Sequence, residues 1–424
     1  MSARGLTTLD AFLEPVRDVL NRRQFPEKPI SDPQIEMLLR LLASMDSDKD
    51  PAAARVGERE GRIASPLLGQ LSAGFNHGVG RSGRLEGAQP KAVGASLMQQ
   101  VADTVAVDAI RKLGLPNARH GLVVPLSTGM TIGLILSAFR RELGIRRVLW
   151  PRVDHLSPKK AISLAGLEEV LTPTVLSGDA VRADIDALAR QVRSVSDSAV
   201  LATTTFFPPR EMDPIRDIAK LCGENNVPLI INNAYGVQSE RIMSSLKSAI
   251  DTGRVDAVVQ SSDKNFLAPV GASIVVSSRE KTIDSIAETY AGRASAAPIV
   301  QTLAALLATG HAGYLRLRNE QVVNRKYLES RLAEIAHEFK QRLLEVENAV
   351  ACAMTIDDLG GRDLGARLYN RRVTGPRVVL KGESGASIDG YPHDYIVMNA
   401  AIGSSREDVE MATNKLHKEL MGES

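Results

Sequence analysis

A single lysine lies between two segments that have the pattern of buried strands. The segments 255–260 and 272–276 are mostly apolar, and Lys264 lies in the short connection between them. A lysine ammonium that is partly desolvated at the mouth of a strand–turn–strand unit has a lowered pKa, and its amine becomes nucleophilic. Such an amine is suited to form a Schiff base with a carbonyl cofactor. On this segment alone, a surface lysine at a strand end is an equally good interpretation.

A second feature follows the predicted strand 121–125. Ser127, Thr128 and Gly129 lie between that strand and a predicted helix. Backbone N–H groups at a helix N-terminus, together with two hydroxyls, make an anion site that suits a cofactor phosphate. Taken alone this signal is weak, because Ser and Thr begin many helices.

Two polar side chains follow other predicted strands, at the edge where open α/β sheets bind ligands. Asn232 follows strand 228–231, and its side chain could hydrogen-bond the pyridine nitrogen of pyridoxal phosphate. Aspartate is usual there because a carboxylate keeps that nitrogen protonated, so Asn232 predicts a milder electron sink that still suffices to eliminate a good leaving group. An Asx turn is the structural alternative. His155 could stack on the cofactor ring, although a lone histidine is more often structural.

The order of these features along the chain predicts a fold-type-I pyridoxal-phosphate enzyme. A phosphate-binding turn comes first, then the partner for the pyridine nitrogen, then Lys264. The combination is a much stronger signal than any one member.

Arginines in glycine-rich segments add a second anion-binding signal. Arg81 lies in the glycine-rich segment 78–84, and an arginine in such a loop can bind a phosphate dianion with two hydrogen bonds. The segment is not a dinucleotide-binding fingerprint, because no strand leads into it. Arg59, beside Glu58, and Arg293 are further candidates. For each, a solvated surface charge is the alternative.

The composition is that of an ordinary globular protein. The chain has 424 residues, 44% of them hydrophobic and 24% charged, with a net charge of only +2. That charge gives no overall electrostatic signature for nucleic acid, so RNA binding would depend on local basic patches. The chain has two cysteines, Cys222 and Cys352, and this low number fits a reducing compartment. Neither cysteine belongs to a sequence motif that would bind a metal. We expect a cytoplasmic protein without a metal and without a membrane-spanning segment.

The periodicity predicts an α/β protein of three parts. Residues 1–45 form an N-terminal helical arm for oligomerisation, 46–300 a pyridoxal-phosphate-binding catalytic domain with a phosphate-binding loop at 78–91, and 301–424 a smaller C-terminal α+β domain. A mainly parallel seven-stranded sheet is predicted from the alternation of strands and helices. Its strands are 121–125, 147–150, 170–175, 199–203, 228–231, 257–260 and 273–276. Helices are predicted at 157–165, 180–194 and 213–225, and a long amphipathic stretch at 320–347.

Several longer motifs resemble those of one known family. The motifs are 56–62, 80–83, 88–92, 124–125, 128–130, 150–152, 232–239, 263–266 and 292–295. They resemble the O-phosphoseryl-tRNA(Sec):selenocysteinyl-tRNA synthase family from about residue 46 to near the C-terminus. The resemblance implies a homotetramer with pyridoxal 5'-phosphate as cofactor. It also implies conversion of O-phosphoseryl-tRNA(Sec) to selenocysteinyl-tRNA(Sec) with selenophosphate, by β-elimination of phosphate and addition of selenium.

The resemblance also implies roles for individual residues. By position, Lys264 carries the cofactor, and Arg59 helps to hold it across a subunit boundary. Glu58 repels a free α-carboxylate, and Arg377 contacts the acceptor end of the tRNA. The residues that the resemblance assigns to the phosphate of phosphoserine are Arg81, Ser82, Gln89 and Arg293. The chain departs from its relatives at Asp251, where a basic tRNA contact is expected, and at His155, where some members have Gln.

Two other functions remain open at the level of the sequence. The first is a pyridoxal-phosphate lyase, aminotransferase or cysteine desulfurase that acts on a free amino acid. Such an enzyme needs an arginine for the α-carboxylate, which Glu58 would oppose, and a persulfide mechanism would need an exposed thiol. The second is an inactive tRNA-binding scaffold, against which the presence of Lys264 and Asn232 counts.

Overall fold

The structure is a computed structural model that describes residues 2–81 and 83–422. Ser82, a predicted phosphate ligand, lies outside the described residues. The helices are α1 (Ser2–Arg22), α2 (Asp32–Ala43), α3 (Pro66–Leu71), α4 (Val93–Lys112), α5 (Thr128–Leu143), α6 (Leu156–Leu164), α7 (Ile185–Ser194), α8 (Ile215–Glu224), α9 (Glu240–Thr252), α10 (Ser262–Phe266), α11 (Glu280–Thr289), α12 (Ala297–Glu338), α13 (Leu364–Asn370) and α14 (Arg406–Met421).

The strands form three sheets. They are β1 (His120–Val124), β2 (Arg147–Pro151), β3 (Glu168–Thr172), β4 (Thr174–Ser177), β5 (Ala180–Ala183), β6 (Ser198–Thr203), β7 (Leu229–Asn232), β8 (Ala257–Ser261), β9 (Ser273–Ser277), β10 (Ala351–Thr355), β11 (Arg377–Val379) and β12 (Tyr395–Asn399). The largest sheet has seven strands in the order β1-β9-β8-β7-β6-β2-β3. Strand β2 pairs in parallel with β3 and β6, and β6 with β7, whereas β9 runs antiparallel to β1 and β8.

The chain divides into two compact units. The first comprises Met1–Gly144, Leu164–Gly166 and Asp256–Leu315, and the second comprises Ile145–Ser163, Leu167–Val255 and Arg316–Ser424. These units do not test the division into arm, catalytic domain and C-terminal domain, which stays a prediction.

In the first unit, helix α4 packs beside β1, the strand at the edge of the large sheet. The Asp103 carboxylate accepts hydrogen bonds from the Val123 backbone N–H and from the Gln99 side chain, both at 2.7 Å. Helix α12 is broken at Gly310, whose φ is +58°. A Cβ there would lie 2.6 Å from the backbone carbon of Lys28, so the close passage of another segment requires glycine at the break.

In the second unit, a small antiparallel sheet carries its own core. Its order is β10-β12-β11, and Cys352 lies opposite Met398 in the register. The apolar face packs with α12, α13 and α14 through buried residues that include Leu332, Leu368 and Leu416. This arrangement matches the predicted strand-rich C-terminal region.

Three predicted elements differ from the structure, two of them for a reason visible in the local sequence. The predicted strand 170–175 is divided at Pro173, which has no N–H group for a sheet, so β3 ends before it and β4 begins after it. The predicted helix 180–194 begins only at Ile185, because residues 180–183 pair with β4 and the Asp184 side chain caps α7 by accepting from the Ala187 N–H. The helix predicted over 320–347 is part of the longer α12, which begins at Ala297 and ends at Glu338.

Replacing Gly94 by alanine is expected to destabilise the first unit. A Cβ at this position would lie 1.7 Å from the Leu42 carbonyl oxygen, so α2 and α4 could not keep their present separation. We expect the free energy of unfolding to decrease by about 1–3 kcal/mol, which circular dichroism would detect as a lower midpoint of urea denaturation. Gly365→Ala is the matched control, because its Cβ would meet Val378 at 3.8 Å, an ordinary contact. A Gly94→Ala midpoint equal to the control's would contradict this packing.

Candidate active site

Lys264 lies in a partly desolvated position directly after β8. It occupies the middle of the short helix α10, and the residue that follows the helix, Leu267, has a left-handed backbone (φ +57°). The side chain is half-buried, and burial lowers the pKa of Lys264 below the ordinary value for lysine, although the charge of Asp263 acts in the opposite direction. The predicted desolvation of this amine is therefore present in the fold.

Hydrogen bonds in the first unit hold the turn 127–129 beside the end of β8. The Thr128 hydroxyl is hydrogen-bonded to the Ser261 hydroxyl, and the Ser273 hydroxyl donates to Thr131 at 2.7 Å. Ser127 precedes α5, is exposed, and makes no side-chain capping bond. The first backbone N–H groups of a helix have no partner within the helix, so this turn can receive an anion near the segment that carries Lys264.

Backbone pairing holds Arg293 beside the glycine-rich segment. The Val79 N–H donates to the Ala294 carbonyl at 3.0 Å, and the Ala294 N–H donates back at 3.1 Å. Gly78 makes this approach possible, because its φ is +69° and a Cβ there would lie 2.3 Å from the Ala294 oxygen. Arg293 and the predicted phosphate-binding loop, far apart in the chain, are thus brought together.

A cavity of about 590 Å³ in the first unit has Arg293 in its wall. Glu58 and Arg59 line the same cavity, and the Arg59 guanidinium donates to the Asn76 carbonyl at 2.6 Å. The Nε and Nη2 atoms of Arg293 are buried without a hydrogen-bond partner among the described residues. Burial lowers the pKa of Arg293, and the charge of Arg59 lowers it further. The cavity therefore contains guanidinium donors that an anion could satisfy.

The same cavity contains titratable residues that were not assigned a role from the sequence. Lys91 donates to the Glu60 carboxylate at 2.6 Å, and His77 also contributes to the wall. Gly61 has a φ of +69°, and a Cβ there would lie 2.8 Å from His77 Nε2, so the backbone of segment 57–62 lies close against this histidine. The motif 88–92 contained a signal for Lys91, since the lysine stands two residues after Gln89.

The other predicted phosphate ligands belong to the same glycine-rich loop. Arg81 is exposed, and its guanidinium makes no ion pair with any residue that the structure describes. Arg84, three residues later, instead binds Glu86, Asp284 and Glu288 and is structural. Gln89 is half-buried, and its backbone N–H donates to the Ser96 hydroxyl at 3.0 Å.

In the second unit, Asn232 ends β7 in a buried polar cluster. Its side chain is 9% exposed, and its Oδ1 atom accepts from the Ala234 N–H at 3.3 Å. The Asx turn that the sequence suggested is therefore present. The Thr204 N–H donates to the Asn232 carbonyl at 3.0 Å, and this bond joins the ends of β6 and β7.

His155 and Arg377 lie around one aromatic pair in the second unit. The His155 ring centroid is 5.7 Å from that of Phe206, and the Arg377 guanidinium lies 5.6 Å from Phe206 and 5.4 Å from Phe207. These are cation–π distances for Arg377. Two residues predicted for different roles, cofactor stacking and tRNA contact, thus share a neighbour.

Among residues 2–81 and 83–422, no group of three or more His, Cys, Asp or Glu side chains is placed to hold a metal ion. No helix within these ranges is both long and apolar enough to cross a membrane.

Solved structures of low sequence identity establish the class of fold. The chain is similar to a sphingosine-1-phosphate lyase of Burkholderia pseudomallei (TM-score 0.59, 15% identity, 100% of this chain and 91% of that one). It is also similar to a PLP-bound C–S lyase of Staphylococcus hominis (TM-score 0.54, 16% identity, 76% and 79%). At such identities the likeness shows the fold alone. That fold is the fold-type-I fold of pyridoxal-phosphate-dependent transferases, and the predicted fold class is confirmed.

Relatives of higher identity establish the family. A family model described as "O-phosphoseryl-tRNA(Sec) selenium transferase, SepSecS" matches residues 45–421. Relatives of that name from Methanopyrus kandleri and Methanococcus maripaludis are 44% and 42% identical, covering 100% and 99% of this chain and 98% and 97% of their own lengths. The crystal structure of an archaeal member has a TM-score of 0.96 at 42% identity, over 99% of this chain and 97% of that one. This chain belongs to the O-phosphoseryl-tRNA(Sec) selenium transferase family, and the predicted resemblance is confirmed.

The burial of Lys264 predicts unusual amine reactivity. Because its pKa is lowered, a larger fraction of Lys264 than of an exposed lysine is neutral at a given pH below that pKa. Asp263→Asn removes the charge that favours the ammonium, and we expect it to lower the pKa further. Competitive acylation of cofactor-free protein across a pH series, followed by peptide mass spectrometry, measures both pKa values, with Lys281 as internal reference. Glu280→Gln is the control variant, and a Lys264 profile that coincides with that of Lys281 would disprove the desolvation.

Proposed function

We propose that this protein converts O-phosphoseryl-tRNA(Sec) to selenocysteinyl-tRNA(Sec), with pyridoxal 5'-phosphate as cofactor and selenophosphate as the selenium donor. Two kinds of support exist for this function. One is membership of the O-phosphoseryl-tRNA(Sec) selenium transferase family, because relatives of that name match almost the whole chain. The other is the charge arrangement of the cavity in the first unit.

The observation that carries the proposal is the pair of unsatisfied nitrogens on Arg293. Burying a cationic donor without an acceptor is costly, and a phosphate dianion would satisfy both nitrogens at once. Glu58 lines the same cavity. The guanidinium of Arg293 would attract the phosphate of the substrate, and the carboxylate of Glu58 would repel a free α-carboxylate. The cavity therefore suits phosphoserine esterified to tRNA better than the free amino acid.

The residues proposed to hold the cofactor fit its chemistry. The turn Ser127–Gly129 offers hydroxyls and backbone N–H groups to a phosphate, and Lys264 offers a desolvated amine to an aldehyde. Arg59 has the family's position for a further cofactor contact. In the second unit we assign His155 to the cofactor ring and Asn232 to its pyridine nitrogen.

The bond-breaking steps follow from these assignments. When bound, pyridoxal phosphate withdraws electrons from the substrate Cα and makes its proton acidic. The Lys264 amine, whose pKa is lowered by burial, removes that proton. Arg81, Gln89 and Arg293, with Ser82, hold the phosphate as its bond to Cβ breaks, so that the developing charge on the leaving group is stabilised. Selenophosphate then supplies selenium to Cβ, and water releases its phosphate.

Binding of the tRNA is assigned to the second unit. The Arg377 guanidinium lies against the Phe206 and Phe207 rings and forms no ion pair among the described residues, so its charge is available to a nucleotide. At Asp251, where relatives are expected to have a basic contact, the carboxylate binds Lys247 at 2.9 Å. This position therefore offers the tRNA no positive charge of its own.

The proposal includes a homotetramer in the cytoplasm, with residues 1–45 as the arm between subunits. Leu6 and Leu9 on α1 and Leu41 on α2 are at least half-exposed in the single chain. Apolar side chains that remain exposed along one arm are typical of a surface that another subunit covers. The catalytic domain 46–300 and the C-terminal domain 301–424 complete the proposed organisation.

A cysteine desulfurase mechanism is disfavoured by both thiols. Cys222 and Cys352 are buried, and burial raises the pKa of Cys352 to about 12. A persulfide carrier needs an accessible thiolate.

The purified protein, given cofactor and selenophosphate, is expected to form selenocysteinyl-tRNA from phosphoseryl-tRNA and to release phosphate from free phosphoserine only at a low background rate. Glu58→Gln removes the repulsion of a free α-carboxylate, so we expect about tenfold more phosphate release from free phosphoserine, equal to ~1.4 kcal/mol. Phosphate release is measured for both substrates, with Glu280→Gln as control. Wild-type turnover of the free amino acid but not of the charged tRNA would refute the proposed function.

Lys264→Ala is expected to lose the visible absorbance of bound cofactor and more than about a thousandfold in turnover, because both depend on its amine. Lys281→Ala, a substitution of an exposed lysine in α11, is the matched control and should retain both. Borohydride reduction of the wild-type holoenzyme should attach the cofactor to the peptide that contains Lys264. An active Lys264→Ala protein, or attachment at another lysine, would overturn this assignment.

A further inference from the structure

The proposed elimination, on which this inference rests, needs a proton at the leaving group. A phosphomonoester has a second pKa of about 6 and is therefore mainly a dianion at neutral pH. When the Cβ–O bond breaks, its electron pair stays on the oxygen, and an unprotonated group would leave as phosphate trianion. A proton delivered to that oxygen lets hydrogenphosphate dianion leave instead. Arginines stabilise the charge of the phosphate but do not supply this proton, because a guanidinium does not deprotonate in proteins.

The cavity that contains Arg59 and Arg293 has two other cationic or potentially cationic side chains, His77 and Lys91. His77 is buried, and burial lowers its pKa below the ordinary value for histidine. It is thus mainly neutral at neutral pH and poorly suited to donate. Lys91 is the ammonium of this cavity, and an ammonium can give up a proton.

The surroundings of Lys91 fit a proton donor that is held in place. Its Nζ donates to Glu60 Oε1 at 2.6 Å, and its backbone carbonyl accepts from the Ser47 N–H at 3.0 Å. The hydrogen bond from Lys91 lowers the pKa of Glu60, so this residue stays a carboxylate beside the lysine. The side chain of Lys91 is 37% exposed, which leaves the ammonium accessible to a ligand and to water that can return the proton.

Lys91 also lies in the part of the chain that is fixed beside Arg293. It ends the loop 78–91, which the Val79–Ala294 backbone pairing joins to the segment that carries Arg293. Arg293 has unsatisfied buried nitrogens, and Lys91 stands two residues after Gln89, a proposed phosphate ligand. A phosphate bound by Arg293 would be in the cavity that Lys91 also lines.

We propose that Lys91 is the general acid of the elimination. As the Cβ–O bond breaks, a proton moves from Lys91 Nζ to the bridging oxygen, and the phosphate leaves as hydrogenphosphate dianion. Lys91 is left as a neutral amine and regains a proton from solvent beside the Glu60 carboxylate. The Cα proton goes separately to Lys264, so the two lysines have opposite roles in the same step.

Lys91→Arg separates proton donation from positive charge. Arginine keeps the charge and can pair with Glu60, but it does not release a proton. With phosphoseryl-tRNA we expect kcat to fall about 100-fold or more, the usual contribution of a general acid, while competitive inhibition by inorganic phosphate changes less than about twofold. With β-chloroalanyl-tRNA the leaving group is chloride, which needs no proton, and the variant should keep at least about half of the wild-type rate.

Lys49→Arg is the matched control, because Lys49 also binds a carboxylate, that of Asp48 at 2.6 Å, but does not line the cavity. It should match the wild type on both substrates, and all variants should retain the visible absorbance of bound cofactor. Equal loss of rate by Lys91→Arg on both substrates would mean a positional role and overturn the proposal, as would full activity on phosphoseryl-tRNA. Wild-type protein that releases no phosphate from phosphoseryl-tRNA would instead refute the proposed function, and this inference with it.

Discussion

A positive charge buried without a matching acceptor is the constraint on which the first unit depends. Two nitrogens of Arg293 have lost water without gaining a partner among the described residues, and the charge of Arg59 adds repulsion. Such an arrangement persists only if the surrounding fold holds it in place. Here the Val79–Ala294 backbone pairing holds it, and Gly78 lets the two segments approach. Binding of an anion would offset the free-energy cost of burying these nitrogens.

Desolvation also determines the chemistry of Lys264. The amine is partly buried at the end of β8, while Asp263 favours its charged form and limits the decrease in pKa. The hydroxyls of Thr128, Ser261 and Ser273 belong to the hydrogen bonds that join the anion-binding turn to β8 and β9. Removal of water from a cation therefore has two effects in the first unit. It makes the Lys264 amine more nucleophilic, and it makes anion binding at Arg293 more favourable.

Lys91 and Lys264 have the same side chain but different surroundings, and their proposed roles in proton transfer differ accordingly. Burial lowers the pKa of Lys264 and so favours its neutral amine, whereas Lys91 donates a hydrogen bond to the Glu60 carboxylate. A base and an acid can thus come from one residue type at one pH, provided that each has its own surroundings. The proposed elimination needs both, because a proton leaves Cα while another reaches the departing oxygen.

Local patterns predicted the large sheet well and small elements less well. Each of the seven strands was predicted because buried strands read as apolar runs between helices, and β8 and β9 were recognised on either side of Lys264. The hairpin β4–β5 was missed because residues 174–183 carry too few apolar positions to separate a short strand from the start of a helix. The end of α12 was predicted too late, since the amphipathic pattern continues beyond Glu338 into segments that pack without being helical.

The sequence by itself determined the kind of chemistry: a lysine after a strand, an anion-binding turn after another, an asparagine after a third, and arginines in glycine-rich segments. It did so because these residue types act through their own functional groups and because parallel strands deliver their ends to one edge. Only the tertiary structure decided that Arg293, Lys91, Glu60 and His77 share one cavity, and which of the arginines is already paired. Those facts depend on contacts between residues far apart in the chain, which arise from close packing and backbone approach and leave no periodic pattern in the sequence.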